Sequence, residues 1–264
     1  MTASINLRKL RKRLFSKTTF RGAVAITLVF AGWELGSRFK MPILGSIPPP
    51  SDVLSVLHRI TADGRFWHHW LASFQRIFMG FIAAQLVGIP LGLAMAMSLA
   101  TRRFLFPILE ILRPIPPLAW VPTAIIFWPT TESSIAFVIF LGAFFTVVLN
   151  VIGGARSIDK RYVRAALSLG SRRRDIFWKI VLPATLPSIF IGMAVGMGIT
   201  WEVVVAAEMI AGKSGLGYFT WASYVGGNYP QIIVGMLSIG IAGYVSSGLI
   251  RAVGKIATPW QRPL

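Results

Sequence analysis

Residues 164–187 read RAALSLGSRRRDIFWKIVLPATLP, a strongly basic interruption between two long apolar runs. Ala165 and Ala166 open a helical run, Gly170 breaks it, and Arg172, Arg173 and Arg174 follow. A second amphipathic turn over Ile176–Ile180 leads to Leu182, Pro183 and Pro187. The pattern predicts a helix–Gly–helix outside a bilayer, because glycine ends helices and clustered arginines stay out of hydrocarbon. Its small residues let a partner's backbone approach, and its apolar stripe has no evident partner in its own chain. A loop helix resting on lipid headgroups is the plain alternative.

Composition sets the class. Of 264 residues 55% are hydrophobic and 14% charged, against roughly 25% charged in soluble domains. A soluble chain of this length could not bury so much apolar surface, so an all-α, polytopic membrane protein is expected, built as one domain. The absence of cysteine excludes disulfides, thiol catalysis and cysteine metal sites. The net charge of +18 sits at the ends of apolar segments, which fits loops facing anionic lipid rather than nucleic acid.

Residues 1–21 form a basic segment without acids, and Gly22–Gly36 reads as a retained first span with Glu34 near its interface. A proline-rich connector, Met41–Pro50, precedes a short helix Val53–Ala62 for which Ser51 and Asp52 are the expected N-cap. His58, His68 and His69 lack further ligands at metal spacing, so structural or interfacial roles are expected. The second span is placed at Ile77–Ala100. The third, Phe104–Trp128, must be broken by Pro114, Pro116 and Pro117, and Glu110 can pair with Arg113 across one helical turn. Broken backbone at membrane depth is tolerated when buried in protein or lining a cavity.

A turn at Pro129–Glu132 leads to the fourth span, Ser133–Gly153. The basic loop, Gly154–Pro183, and a fifth span, Thr185–Val205, follow. Gly192 and Gly196 in that span make a GxxxG packing match. Glu202 and Glu208 are the expected buried carboxylates. Gly215–Trp221 reads as a re-entrant or surface segment, and Gln231–Val253 as the sixth span. This topology puts most of the 27 Lys and Arg, and both termini, on one side, which the positive-inside rule makes cytoplasmic. Gly212-Lys213-Ser214 ends like a Walker A loop, but Ala207 stands where that loop needs glycine, and no nucleotide is expected there.

The basic loop resembles the EAA loop of binding-protein-dependent ABC importer permeases. Ala165, Ala166, Gly170, Phe177, Leu182, Pro183 and Pro187 fit its pattern. Arg164 stands where the family has glutamate, so no role of that carboxylate carries over. Leu112–Trp120, Val205–Ala211 and Ser214–Tyr218 resemble the nitrate/sulfonate/taurine/bicarbonate branch, and the resemblance runs from Ile47 to Trp260. It implies the type I ABC importer permease fold, with six transmembrane helices in residues 22–264 and a cytoplasmic coupling helix. It also implies a non-catalytic subunit of the bacterial inner membrane. The partners would be a second copy, two cytoplasmic ABC ATPases holding ATP and Mg, and a periplasmic or lipid-anchored binding protein, with no cofactor in this chain.

For ATPase coupling the motif selects Arg164, Ala165, Ala166, Gly170, Arg173, Phe177, Leu182 and Pro183. Position within spans selects Arg113, Pro116, Trp120, Asn150, Trp201, Glu202 and Glu208 for the translocation path or its gates. The expected cargo is a small oxyanion, first a sulfonate such as taurine, because Arg164 and Thr258-Pro259-Trp260 look like taurine permeases. Nitrate, bicarbonate and a vitamin precursor stay open. A stand-alone secondary transporter or channel would need paired broken helices or a run of membrane carboxylates. A membrane enzyme would need a His/Asp cluster.

Overall fold

The computed structural model describes residues 17–261. The basic stretch before Lys17 lies outside the described residues. Every regular element among the described residues is helical. In chain order these are α1 (Lys17–Arg38), α2 (Pro50–Thr61), α3 (Gly64–Met97), α4 (Leu99–Leu112), α5 (Val121–Phe127), α6 (Thr131–Arg156), α7 (Lys160–Ser168), α8 (Arg173–Ala211), α9 (Leu216–Val225) and α10 (Tyr229–Ala257).

Against six expected spans, α3, α6, α8 and α10 are long and apolar enough to cross a membrane, and α4 with Pro117–Phe127 makes a fifth, bent by 87°. The 22-residue α1 falls short, since Arg21, Glu34 and Arg38 dilute its apolar run. The bend lies where expected. Pro114, Pro116 and Pro117 remove three of the four amide donors over residues 114–117, so α4 ends with Arg113 N–H donating to the Leu109 carbonyl, and a 3₁₀ turn restarts at Pro117–Trp120.

Helix α6 is the central rod, with α3 on one face and α8 on the other, and α10 packs on α8. Val138, Ile139, Ala143, Val147, Val148 and Val151 of α6 are 0–1% exposed. Lipid offers no hydrophobic drive between helices, so close dispersion contact must hold them. Small residues allow it. A Cβ on Gly80 of α3 would lie 2.5 Å from the Ala136 carbonyl oxygen, and one on Gly192 of α8 would lie 2.7 Å from the Asn150 Cβ.

Four boundaries differ from the sequence reading. Helix α2 starts at Pro50, and its first turn is capped by Glu34, whose carboxylate accepts from Ser51 N–H at 3.1 Å, rather than by Ser51 or Asp52. Helix α3 starts at Gly64, capped by Asp63, well before Ile77, and three of the polar residues in this stretch, His69, Ser73 and Arg76, have tertiary partners. The second half of the basic loop is no separate turn. It is the start of α8, one helix of 39 residues. Residues Phe177–Val181 form a π turn just before Pro183, where the wider turn moves the carbonyl that the proline ring would strike. Finally, α9 is a regular helix packed on α8 and α10, with Leu216 and Gly217 buried.

Candidate functional site

The basic loop joins α6 to α8. Asp159 caps α7 by accepting from Arg161 N–H at 2.8 Å. Helix α7 buries no residue, and Tyr162, Leu167 and Leu169 are 66%, 52% and 85% exposed. Its end is a Schellman motif: Ser171 N–H donates to Ala166 O and Gly170 N–H to Leu167 O, both at 3.0 Å. Gly170 has φ +77°, and a Cβ there would meet nothing within 4 Å. The glycine is therefore needed for backbone handedness, while the space above it is free for another molecule.

Arg164, Ala165, Gly170 and Arg173 are exposed and Ala166 is half-buried. Phe177 and Leu182 instead pack on the buried cluster of Leu93, Val147, Val151 and Ile189, and Pro183 sits in the turn between them and α8 proper. The loop residues thus divide into an outward face, an anchor on the bundle, and Arg173, which lines the hollow between α7 and the long helices.

At the opposite end of α6 and α8 lies a buried polar cluster. The Arg76 side chain is 1% exposed and that of Glu208 0%, and Arg76 Nη1 reaches Glu208 Oε1 at 2.8 Å. Two further Arg76 nitrogens pair with Glu132, the second residue of α6, at 2.6 Å each. Arg76 also donates to the Ser214 carbonyl at 2.6 Å and to Ser214 Oγ at 3.1 Å. Glu208 accepts from Ser73 Oγ at 2.8 Å and from Gly217 N–H at 2.9 Å. Leu216 N–H donates to Ser73 Oγ at 2.8 Å, and Gly215 N–H to His69 Nδ1 at 3.1 Å. Ion and hydrogen-bond partners together are what let charges persist in such a place. The cluster ties α3, the start of α6, the end of α8 and the α8–α9 loop to one another. The Gly-Lys-Ser stretch is part of this tie, its Ser214 held by Arg76.

The remaining residues picked from span position do not converge on one place. Arg113 is half-exposed and pairs with Glu110 at 3.4 Å, beside an exposed Pro116 at the break. Trp120 packs on the main core with its indole N–H buried and unpartnered. Asn150 donates to Thr146 O at 2.8 Å within α6 and lines a shallow hollow with Gly154 and Ser188. Trp201 is buried, donating to Ser246 Oγ at 2.9 Å. Glu202 is not buried as expected. It is exposed, because one position after Trp201 turns it to the open edge of the α8–α10 contact, in a groove shared with Tyr244 and Arg251.

Sequence reading missed Arg76, Ser73 and Glu132. The available signal was a serine and an arginine three apart on one helical face leading directly into an apolar run, where an ionisable group marks a function or a buried partner. Among the described residues no three His, Asp or Glu side chains are grouped as metal ligands would be.

Among the described residues the chain is an all-helical protein with membrane-length spans, a broken span and an exposed, glycine-ended loop helix, the architecture expected of a transporter's membrane subunit. The chain belongs to the family described as the binding-protein-dependent transport system inner membrane component, whose pattern matches residues 88–262. It is similar to the taurine transport system permease protein TauC of Escherichia coli (strain K12), with 36% identity over 81% of this chain and 80% of that one. It is also similar to the nitrate import permease protein NrtB of Synechocystis sp., with 31% identity over 99% of both chains. Among solved structures, it resembles inward-facing forms of the MetNI methionine ABC transporter. One has TM-score 0.57 at 21% identity, covering 74% of this chain and 94% of that one. The fold is therefore that of a type I ABC importer permease. Membership makes the chain a membrane-spanning permease subunit of a family of non-catalytic subunits, and it implies partnership with an ATPase and a binding protein.

Proposed function

We propose that this permease subunit forms the translocation path for a small oxyanion, with a sulfonate such as taurine as the first candidate cargo. It works as a homodimer in the bacterial inner membrane, with both termini cytoplasmic. Two cytoplasmic ATPases carry ATP and Mg, a periplasmic or lipid-anchored protein delivers the cargo, and this chain holds no cofactor. The observation that carries the reading is α7 with its unburied face and the open space above Gly170. An ATPase groove would cover that face. Closure of the ATPases on ATP would shift the membrane dimer toward its outward-open state, and hydrolysis would reset it, each step a population shift driven by differential binding.

The oxyanion class is supported by the taurine and nitrate permeases among its relatives, and the order of their identities favours taurine only slightly. The test is ATPase activity of the chain co-reconstituted with the ABC ATPase and binding protein that co-purify with it. Taurine, other alkanesulfonates, nitrate and bicarbonate are supplied in turn. Taurine should stimulate hydrolysis. Stimulation by nitrate or bicarbonate alone would reassign the cargo, and silence with all of them would remove the oxyanion reading.

A further inference from the structure

A cavity of about 720 Å³ lies behind α7, between it and the ends of the long helices. Four elements each contribute one cation to its wall: Arg102 from α4, Arg156 from the end of α6, Lys160 from the start of α7 and Arg173 from the start of α8. No acidic residue lines it. The two acids nearest in sequence are turned to local work, Asp159 capping α7 and Asp175 lying 4.0 Å from Lys179. Among the described residues none of the four cations is in an ion pair. Arg102 only lies over the Phe106 ring, at 5.3 Å. Part of the Arg156 charge answers the negative end of the α6 dipole. The start of α8 works the other way, since it has no side-chain cap and its positive end is offset only in part by Asp175 in its first turn.

Like charges gathered round one hollow repel, and the arrangement is relieved by an anion placed among them. The rest of the wall is apolar, Met97 and Ile176 included. Arg102 and Arg156 mark the ends of apolar helices, which sets the cavity at the depth of lipid headgroups, where basic pockets between helices take up anionic lipids. We propose that this cavity binds a phosphate-type oxyanion, carried by an anionic phospholipid whose chains follow the apolar wall. The assignment is independent of the cargo.

The test uses the full chain in nanodiscs of equal phosphatidylglycerol and phosphatidylcholine, with retained lipid counted by native mass spectrometry. The charge-removing double variant Arg102→Gln/Lys160→Gln is compared with the charge-conserving Arg102→Lys/Lys160→Arg, and thermal unfolding checks that each is folded. The original chain should retain phosphatidylglycerol preferentially, the charge-removing variant should lose that preference by about thirtyfold for two headgroup-level cations, and the conserving variant should keep it. A calorimetric titration of inorganic phosphate into phosphatidylcholine-only discs separates the sources. Phosphate binding that the charge-removing variant abolishes, without lipid preference, keeps the oxyanion site and makes its ligand a free anion. No lipid preference together with no phosphate binding overturns the proposal. So does a preference that the charge-removing variant leaves unchanged.

Discussion

Arg76 and Glu208 meet at 2.8 Å with side chains 1% and 0% exposed, although 132 positions separate them in the chain. The pair is asymmetric in its support. Arg76 keeps Glu132 and Ser214 as further partners, while Glu208 has only neutral donors, Ser73 and Gly217, besides the guanidinium.

That asymmetry ranks the single substitutions. Arg76→Met strands a buried carboxylate and should cost about 3–5 kcal/mol, the usual loss on breaking a buried pair. Glu208→Gln should cost less, since Arg76 still faces Glu132. Arg76→Met/Glu208→Leu should be less destabilised than Arg76→Met alone. Thermal unfolding in detergent checks the order, and a double variant worse than both singles would refute it.

Gly215 has φ +112°, and a Cβ there would collide with the Glu208 carboxylate. Gly215→Ala should therefore be severely destabilising in the original chain. In a Glu208→Ala background only the backbone penalty remains, about 1–3 kcal/mol for an alanine forced into this glycine-favoured extended region at φ +112° and ψ +166°. A double-mutant cycle measures the difference, and additive effects would show that the collision is relieved elsewhere.

Gly170→Glu meets open space, so its structural penalty is confined to about 1–2 kcal/mol of backbone strain. The protein should reach the membrane at normal levels yet transport nothing, because the added side chain occupies the space an ATPase would cover. Uptake assays alongside membrane quantification decide this. Normal uptake would remove α7 from the coupling role.

The purified chain alone should not hydrolyse ATP. Its Gly-Lys-Ser stretch cannot wrap a phosphate while Ser214 is held by Arg76 and Gly215 N–H by His69. Phosphate release above that of a detergent blank would contradict this.

The long spans and the basic loop were legible because apolar runs and glycine–proline punctuation are local signals. Gly170 and Pro114–Pro117 act on their own backbone, and the structure places a helix end and a break there. Boundaries set by distant partners were not legible. Ser51 gives no sign that its N–H is capped by Glu34, and Arg76 looks like a polar flank until Glu132 and Glu208 are brought to it. Glu202 and Glu208 are equally acidic in the sequence, and only helix rotation decides that one is buried and the other exposed.

The interlocking of α6 with α8 through Gly192 and Asn150 makes them a stiff beam with the basic loop at one end and the charged cluster at the other. From Glu132 to Arg156 that beam rises about 36 Å at 1.5 Å per residue. A swing of about 5° at one end then carries the other through about 3 Å. Because α3 is locked to α6 as closely, at Gly80 and Ala136, a push on α7 would carry Arg76, Glu132 and Glu208 together, moving the far end of the bundle as one piece.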